Sequence, residues 1–184
     1  MKSPLSSCLC MMLMLVINGC RKDAKTEIQI EYPFYYPCLL NSDARMSDTL
    51  TLMEIINLKD TLEQVLKEHQ TSKERIKSIK IISLSLYEPE FAFYDTMRFA
   101  NFRDIETLEL FMHHDLIGDK RIAYKVVADQ LAKSINPELE DTELKAYVLQ
   151  DAFGVKVAYR KRRYKNCEMP FVLTLKLRIT ADPF

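Results

Sequence analysis

A regular alternation of apolar and polar residues near the end of the chain constrains the fold more than any other feature. Segments 153–160 and 173–179 carry apolar side chains at every second position. Because neighbouring side chains of a β-strand point to opposite faces, this period of two predicts antiparallel strands with one buried and one solvated face. The predicted inward-facing residues are Phe153, Val155, Val157, Tyr159, Leu173, Leu175, Leu177 and Ile179.

Shorter alternating segments follow the same rule over 82–87, 108–112 and 122–126. Between 57 and 69 the period changes, and the apolar residues recur at helical spacing from Leu58 onward. Several alternating segments separated by turn residues are typical of a sandwich. We therefore predict an all-β fold, an antiparallel immunoglobulin-like β-sandwich with one N-terminal-side amphipathic helix.

The first twenty residues have the layout of an export signal. Lys2 provides a positive start, and residues 8–17 form an uncharged apolar core. A core of ten residues is too short to cross a bilayer as a permanent helix, which needs roughly 20 apolar residues. The segment therefore favours a cleaved signal peptide over a membrane anchor.

The residues that end this segment, Ile17-Asn18-Gly19-Cys20, resemble the lipobox of bacterial lipoproteins. This resemblance implies a lipid-modified Cys20, cleavage before it, and acylation of the new amine, so that the chain is held in a membrane by several acyl chains. Asn18 departs from the pattern, which usually has Ala or Ser there. The alternative is an ordinary secretory signal followed by an unmodified cysteine.

The predicted organisation has three parts: a lipoprotein signal peptide over 1–19, a tether with a candidate edge strand over 20–48, and the sandwich domain over 49–184. Arg21, Lys22 and Asp23 weakly resemble the charged signals that send lipoproteins of Bacteroidota to the outer face of the outer membrane. We therefore expect an outer-membrane location. Surface display is slightly favoured, and the periplasmic face stays open.

Composition argues against several classes of function. Loss of residues 1–19 removes Lys2 and no acid, which leaves 25 of the 26 basic residues against 26 acidic ones and a net charge of −1. Nucleic-acid binders normally carry a basic surplus, so no nucleic acid is expected as a partner. Only Gly118 and Gly154 remain after the signal, too few for a glycine-rich phosphate loop, and no cofactor is predicted.

The order of tether, helix and strands over 50–182 resembles that of lipid-anchored β-sandwich proteins of the Bacteroidota, a group for which no activity is carried over. Met112-His113-His114-Asp115 suggests a metal site, but adjacent strand residues face opposite sides and His69 lies far away in the chain, so no metal is predicted. The acids, Glu88 and Asp104 among them, form no recognisable pair, and the chain is not expected to be an enzyme.

The two cysteines that follow Cys20 are Cys38 and Cys167. In an exported protein, pairing is favoured over thiol reactivity, so a disulfide between them is one hypothesis. Whether they pair is left open by the sequence.

Two segments are candidate binding sites. The first is a patch for an anionic partner, predicted either to bind that partner or to form a solvated hairpin tip between the last two strands. It consists of Arg160, Lys161, Arg162, Arg163 and Lys165. The second is an aromatic platform of Phe91, Phe93 and Tyr94, whose alternative role is to fill the core.

These features together predict a non-catalytic binding or structural module that contacts another component of the cell envelope. An envelope protein and an anionic glycan are both candidate partners. The alternative function is that of a carbohydrate-binding accessory lipoprotein that uses exposed aromatic rings.

Overall fold

The computed structural model of the protein describes residues 25–36, 49–94, 99–163 and 169–182. Nine strands in these ranges form two antiparallel sheets, and every strand pairing is antiparallel. The strands are β1 (Thr26–Tyr36), β2 (Thr49–Ile56), β3 (Ile76–Tyr87), β4 (Ile105–His114), β5 (Gly118–Val126), β6 (Ser134–Ile135), β7 (Glu138–Leu139), β8 (Phe153–Lys161) and β9 (Phe171–Ala181).

Three α-helices in the described ranges connect these strands: α1 (Lys59–Glu68), α2 (Glu90–Tyr94) and α3 (Lys145–Val148). The amphipathic helix α1 lies within the range 57–69 of the sequence prediction, and it buries Leu62 and Leu66. Asn57, the candidate cap, accepts a hydrogen bond from the backbone N–H of Lys59 at 3.0 Å. Helix α1 thereby joins the end of β2 to the start of β3 with its apolar stripe against the core.

The strand order is β1-β9-β3-β6 in one sheet and β2-β8-β4-β5-β7 in the other. In an immunoglobulin sandwich the first strand lies beside the second. Here the first strand of the domain lies beside the last, and β1 to β4 alternate between the sheets, which is the order of a jelly-roll sandwich. The immunoglobulin-like order that we predicted is therefore not reproduced, because alternation of side chains specifies the buried face of a strand and not its neighbours.

One shared core holds the two sheets together. The inward side chains of β8 and β9, which are central strands of their sheets, belong to a single cluster of buried residues. Leu175 of β9 is 1% exposed and Val157 of β8 is 0% exposed, as the alternation predicts. Full burial of one such side chain stabilises the fold by about 1.5–3 kcal/mol relative to its exposure.

Strand β5 departs from the predicted phase. Ile122 is buried as expected, but Val126 is 60% exposed although the sequence pattern placed both on one face. A register shift in the pairing of β4 with β5 explains this, because Leu110 lies opposite Ala123 and Phe111 lies opposite Arg121. A bulge of one residue reverses the side-chain phase of the strand beyond it.

The sandwich has two ends that carry different surfaces. At one end, which we call the entry end, β1 begins at Thr26 opposite Ala181, and Ala181 is also opposite Ile76 at the start of β3. Helix α3 joins the two sheets here, because Lys145 Nζ donates to the carbonyl of Ile76 at 2.5 Å and β8 begins at Phe153 shortly after the helix.

At the opposite end, which we call the far end, β3 finishes at Tyr87 and β4 begins at Ile105. The segment between them contains α2, and β8 also finishes here at Lys161, opposite Ile105. The antiparallel register therefore brings both candidate binding segments of the sequence to the far end.

Candidate functional site

Helix α2 presents aromatic side chains to solvent at the far end. Phe91 is 56% exposed and Tyr94 is 71% exposed, so neither ring fills the core. The Phe91 ring meets the ring of Phe99 edge-on, with centroids 5.6 Å apart and an angle of 71° between the planes. Phe93 belongs to the same helix, but its side chain is outside the described set.

Tyr94 is held by a cation from a neighbouring loop. Lys133 Nζ donates a hydrogen bond to the Tyr94 hydroxyl at 2.9 Å and lies 4.8 Å from the centroid of its ring. The ammonium group and the ring attract each other through the ring quadrupole. This contact raises the pKa of Lys133, chiefly through the hydrogen bond to Tyr94. The platform therefore combines exposed aromatic surface with one positive charge.

A buried polar cluster fixes the segment around α2. Glu88 is 4% exposed, its backbone N–H donates to the carbonyl of Lys133 at 2.9 Å, and its carboxylate accepts the N–H of Phe102 at 2.5 Å. Asp104 accepts the N–H of Asn101 at 3.1 Å and is also buried. These two acids satisfy backbone donors that would otherwise be buried without partners, which is a structural use of carboxylates.

The basic segment does not form a hairpin tip. Strand β8 pairs with β2 and β4, whereas β9 pairs with β1 and β3, so the chain crosses from one sheet to the other after β8. The prediction of a hairpin was wrong because we assumed that strands adjacent in sequence pair with each other. Lys161 is 2% exposed, and Lys165 lies outside the described residues.

The two arginines that follow β8 engage groups within the protein. Arg162 donates to the carbonyl of Arg103 at 2.9 Å and also to the carbonyl of Val127. Arg163 donates to both carboxylate oxygens of Asp129, at 2.5 and 2.7 Å. Asp129 thus pairs with the charge of Arg163, and Arg160 remains the most exposed of the four described basic side chains.

A cavity of 380 Å³ opens at the entry end, on the outer face of the five-stranded sheet. Its wall combines polar groups with exposed apolar ones, since Ile55 is 67% exposed and Leu116 is 90% exposed. The lining residues are Met53, Ile55, His113, His114, Asp115, Leu116, Gln150, Asp151, Ala152, Phe153 and Gly154.

His113 lies between two carboxylates beside this cavity. Its Nδ1 is 2.6 Å from Asp119 and its Nε2 is 3.2 Å from Asp115, and the bond to Asp119 is the main reason that the pKa of His113 is raised. Lys156 lies 2.5 Å from Asp119 and, together with His113, lowers the pKa of that carboxyl. A protonated His113 that donates from both nitrogens offers no lone pair to a metal or to a substrate proton.

The sequence reading missed Asp119 as the partner of His113. The signal was present, because a tight turn at 115–117 followed by Gly118 places Asp119 opposite His113 in an antiparallel hairpin. Gly118 adopts a positive φ of 88°, which suits such a turn. His114 points elsewhere and accepts the N–H of Leu116 at 3.2 Å.

Three predicted residues, Cys20, Cys38 and Cys167, lie outside the described residues. Within the described ranges, no group of three or more His, Cys, Asp or Glu side chains is arranged to hold a metal ion. None of the helices in these ranges is both long enough and apolar enough to cross a membrane.

No family model matches the chain, and no curated protein matches it significantly.

Proposed function

We propose that this protein is a lipid-anchored, non-catalytic binding module of the outer membrane, whose far end contacts another component of the cell envelope. The anchor in this proposal is Cys20. One observation carries the proposal: the chain enters the sandwich at one end, and the exposed aromatic helix α2 lies at the opposite end.

The position of α2 follows from the register of the four-stranded sheet. Strand β1 begins at Thr26 beside the start of β3, and β3 runs the length of the sandwich to Tyr87 before α2 begins. A chain tethered at Cys20 therefore holds the entry end close to the membrane and directs Phe91 and Tyr94 away from it. This arrangement suits contact with a partner that lies beyond the membrane surface.

The exposed rings favour one alternative, a carbohydrate-binding accessory lipoprotein. Phe91 and Tyr94 offer flat apolar surfaces of the kind that stack on sugar rings, and Lys133 adds a positive charge that suits an acidic glycan. Against this reading, the ammonium of Lys133 lies over the Tyr94 ring and competes with a ligand there. An envelope protein that packs on Phe91 is therefore the leading partner class.

The contacts of the candidate catalytic acids and of the candidate metal ligand His113 support a non-catalytic role. Glu88 and Asp104 accept backbone N–H groups in the interior, and His113 has a carboxylate at each ring nitrogen. These contacts occupy carboxylate and imidazole atoms that a catalytic role would use, which favours a structural role for the three side chains.

Site-specific photocrosslinking in intact cells tests the far end as a contact surface. A photoreactive phenylalanine analogue at Phe91 is expected to form a discrete crosslinked product. The matched control carries the analogue at Gln29, an exposed residue on the side of the sandwich. Equal crosslinking from both positions, or none from Phe91, would contradict the proposal.

Affinity electrophoresis in gels that contain envelope polysaccharide separates the two partner classes. If a glycan is the ligand, Phe91→Ala should abolish retardation of the protein in the gel. Leu139→Ala, at another exposed apolar residue, serves as the control and should leave retardation unchanged. A crosslink from Phe91 without retardation by polysaccharide would favour the protein partner.

A further inference from the structure

The turn between β4 and β5 exposes two consecutive large apolar residues. Leu116 is 90% exposed and Ile117 is 40% exposed, and the turn is closed by the N–H of Ile117, which donates to the carbonyl of His114 at 3.0 Å. Ile55 and Met53 of β2 add further exposed apolar surface beside the same cavity, at 67% and 49%. Leu116, Ile55 and Met53 line the same cavity, and exposed apolar side chains grouped in this way are typical of an interaction surface.

This patch lies at the entry end. Gly154, the second residue of β8, is opposite both Ile55 of β2 and His113 of β4, so all three strands reach this end together. The start of β8 follows α3, and Lys145 of α3 contacts the carbonyl of Ile76. Ile76 and Thr26 are both opposite Ala181. The exposed turn and the first residue of β1 therefore belong to the same end of the sandwich.

Covalent geometry limits how far this end can be from the proposed anchor. Thr26 follows Cys20 by six residues, which span at most about 22 Å when fully extended. A lipid on Cys20 holds the sulfur at the membrane surface. The turn is therefore kept close to a bilayer for as long as the anchor is in place.

We propose that the Leu116–Ile117 turn, with Ile55 beside it, inserts into the interfacial region of the bilayer as a second membrane contact. This inference rests on the proposed anchoring at Cys20. It assigns the entry end to lipid, and it leaves the far end free for the envelope partner. The contact orients the domain, which a tether alone would not do.

The charges around the turn indicate that the contact is apolar in character. Asp115 and Asp119 are close to His113 and Lys156, and Asp151 is 3.1 Å from Lys59. Because the two lysines and His113 pair with these three carboxylates, anionic lipid gains little over zwitterionic lipid. We therefore expect the contact to persist at high salt, unlike one made by a basic patch.

The absence of tryptophan from the chain allows a direct test. The variant Leu116→Trp, expressed with its own signal segment and purified from membranes, is reconstituted into vesicles of phosphatidylethanolamine and phosphatidylglycerol, part of which carries brominated acyl chains. The control is Leu131→Trp, at an apolar residue that is 45% exposed and lies close in sequence to Lys133 at the far end. Bromine quenches tryptophan only at close range, and burial in lipid shifts its emission to shorter wavelength.

The expected result is at least a twofold quenching and a blue shift for Leu116→Trp, with neither change for Leu131→Trp, at low and at high salt. Flotation of the vesicles reports anchoring in the same samples. If both variants float and Leu116→Trp is quenched no more than the control, the membrane contact is overturned while the anchor stands. If neither variant floats, the anchoring proposal fails, and the inference fails with it.

Discussion

Tyr36 at the end of β1 is directly opposite Phe171 at the start of β9. The chain therefore leaves β1 and enters β9 at the same end of the same sheet. Cys38 follows Tyr36 by two residues, and Cys167 precedes Phe171 by four. Tyr36 and Phe171, the described strand residues nearest to the two cysteines, are therefore paired in the sheet. A disulfide requires Cα atoms within roughly 7 Å of each other, and this pairing favours that condition.

We accordingly predict that Cys38 and Cys167 form a disulfide in the exported protein. Closing a loop of more than a hundred residues would stabilise the fold by about 4–5 kcal/mol in the chain-entropy model. Alkylation under native, non-reducing conditions followed by mass spectrometry should recover a linked peptide pair that Cys38→Ser eliminates. Recovery of both cysteines as alkylated thiols would contradict the prediction.

The phase of β9 gives a second prediction. Leu175 is 1% exposed in the core, whereas Lys176 lies on the outer face opposite Glu31. Leu175→Asp should unfold the domain, because an unpaired buried carboxylate costs several kcal/mol against a total stability of ~5–15 kcal/mol. Lys176→Asp should cost less than about 1 kcal/mol, since it only replaces an attractive cross-strand pair with a repulsive one. Urea denaturation measures both, and similar losses would mean that the phase is wrong.

The pair of His113 and Asp119 gives a pH dependence. Asp119 raises the pKa of His113, so the folded state binds this proton more tightly than the unfolded chain does. The resulting stabilisation is fully present below the unfolded pKa of about 6.5 and is lost as the pH rises through the higher folded pKa. An NMR titration of the imidazole should show a lower pKa for His113 in Asp119→Asn.

Asp141→Asn is the matched control for that titration. It removes a comparable surface carboxylate, which pairs with Lys80 at 2.6 Å and not with His113. The pKa of His113 should be the same in this variant as in the wild type. A titration of His113 that is unaffected by Asp119→Asn would show that the carboxylate does not hold the proton.

The arginines after β8 give a fourth prediction. Arg163 binds both oxygens of Asp129 and lies 3.8 Å from the buried Asp104, whereas Arg160 lies 3.9 Å from Glu106 among the described residues. Arg163→Ala should lower the free energy of unfolding by about 1–2 kcal/mol, because it removes charge-assisted hydrogen bonds beside a buried carboxylate. Arg160→Ala should change it by no more than about 0.5 kcal/mol. Equal effects in thermal unfolding would contradict this structural role for Arg163.

The sequence predicted which face of a strand is buried better than it predicted which strands lie beside it in the sheet. Alternation identified Val157 and Leu175 as core residues because burial on one face imposes a period of two. The same period carries no information on which strand lies alongside, so the pairing of β1 with β9 was not foreseen. The bulge at Ile122 of β5 is a local property of one strand pair, and the predicted phase of Val126 was wrong for that reason.

For the candidate sites, too, local patterns were predicted and contacts between distant segments were not. Sequence patterns found the basic run and the aromatic run, but the exposure of Phe91 and the burial of Lys161 depend on contacts between distant segments. The partner of Arg163, Asp129, is 34 residues away in the chain, in a loop with no distinguishing pattern. The spacing of residues along the chain therefore could not show that Arg163 has an acidic partner.

Both the proposed function and the proposed membrane contact depend on a lipid anchor at Cys20. Incorporation of radiolabelled palmitate into the wild type and into Cys20→Ser tests it most directly, because only the thiol is nucleophilic enough to accept the diacylglycerol group. We predict labelling of the wild type and no labelling of Cys20→Ser. We also predict that Cys20→Ser accumulates with its signal peptide still attached, because cleavage in the lipoprotein pathway follows lipidation. Equal labelling of the two proteins would contradict the claim.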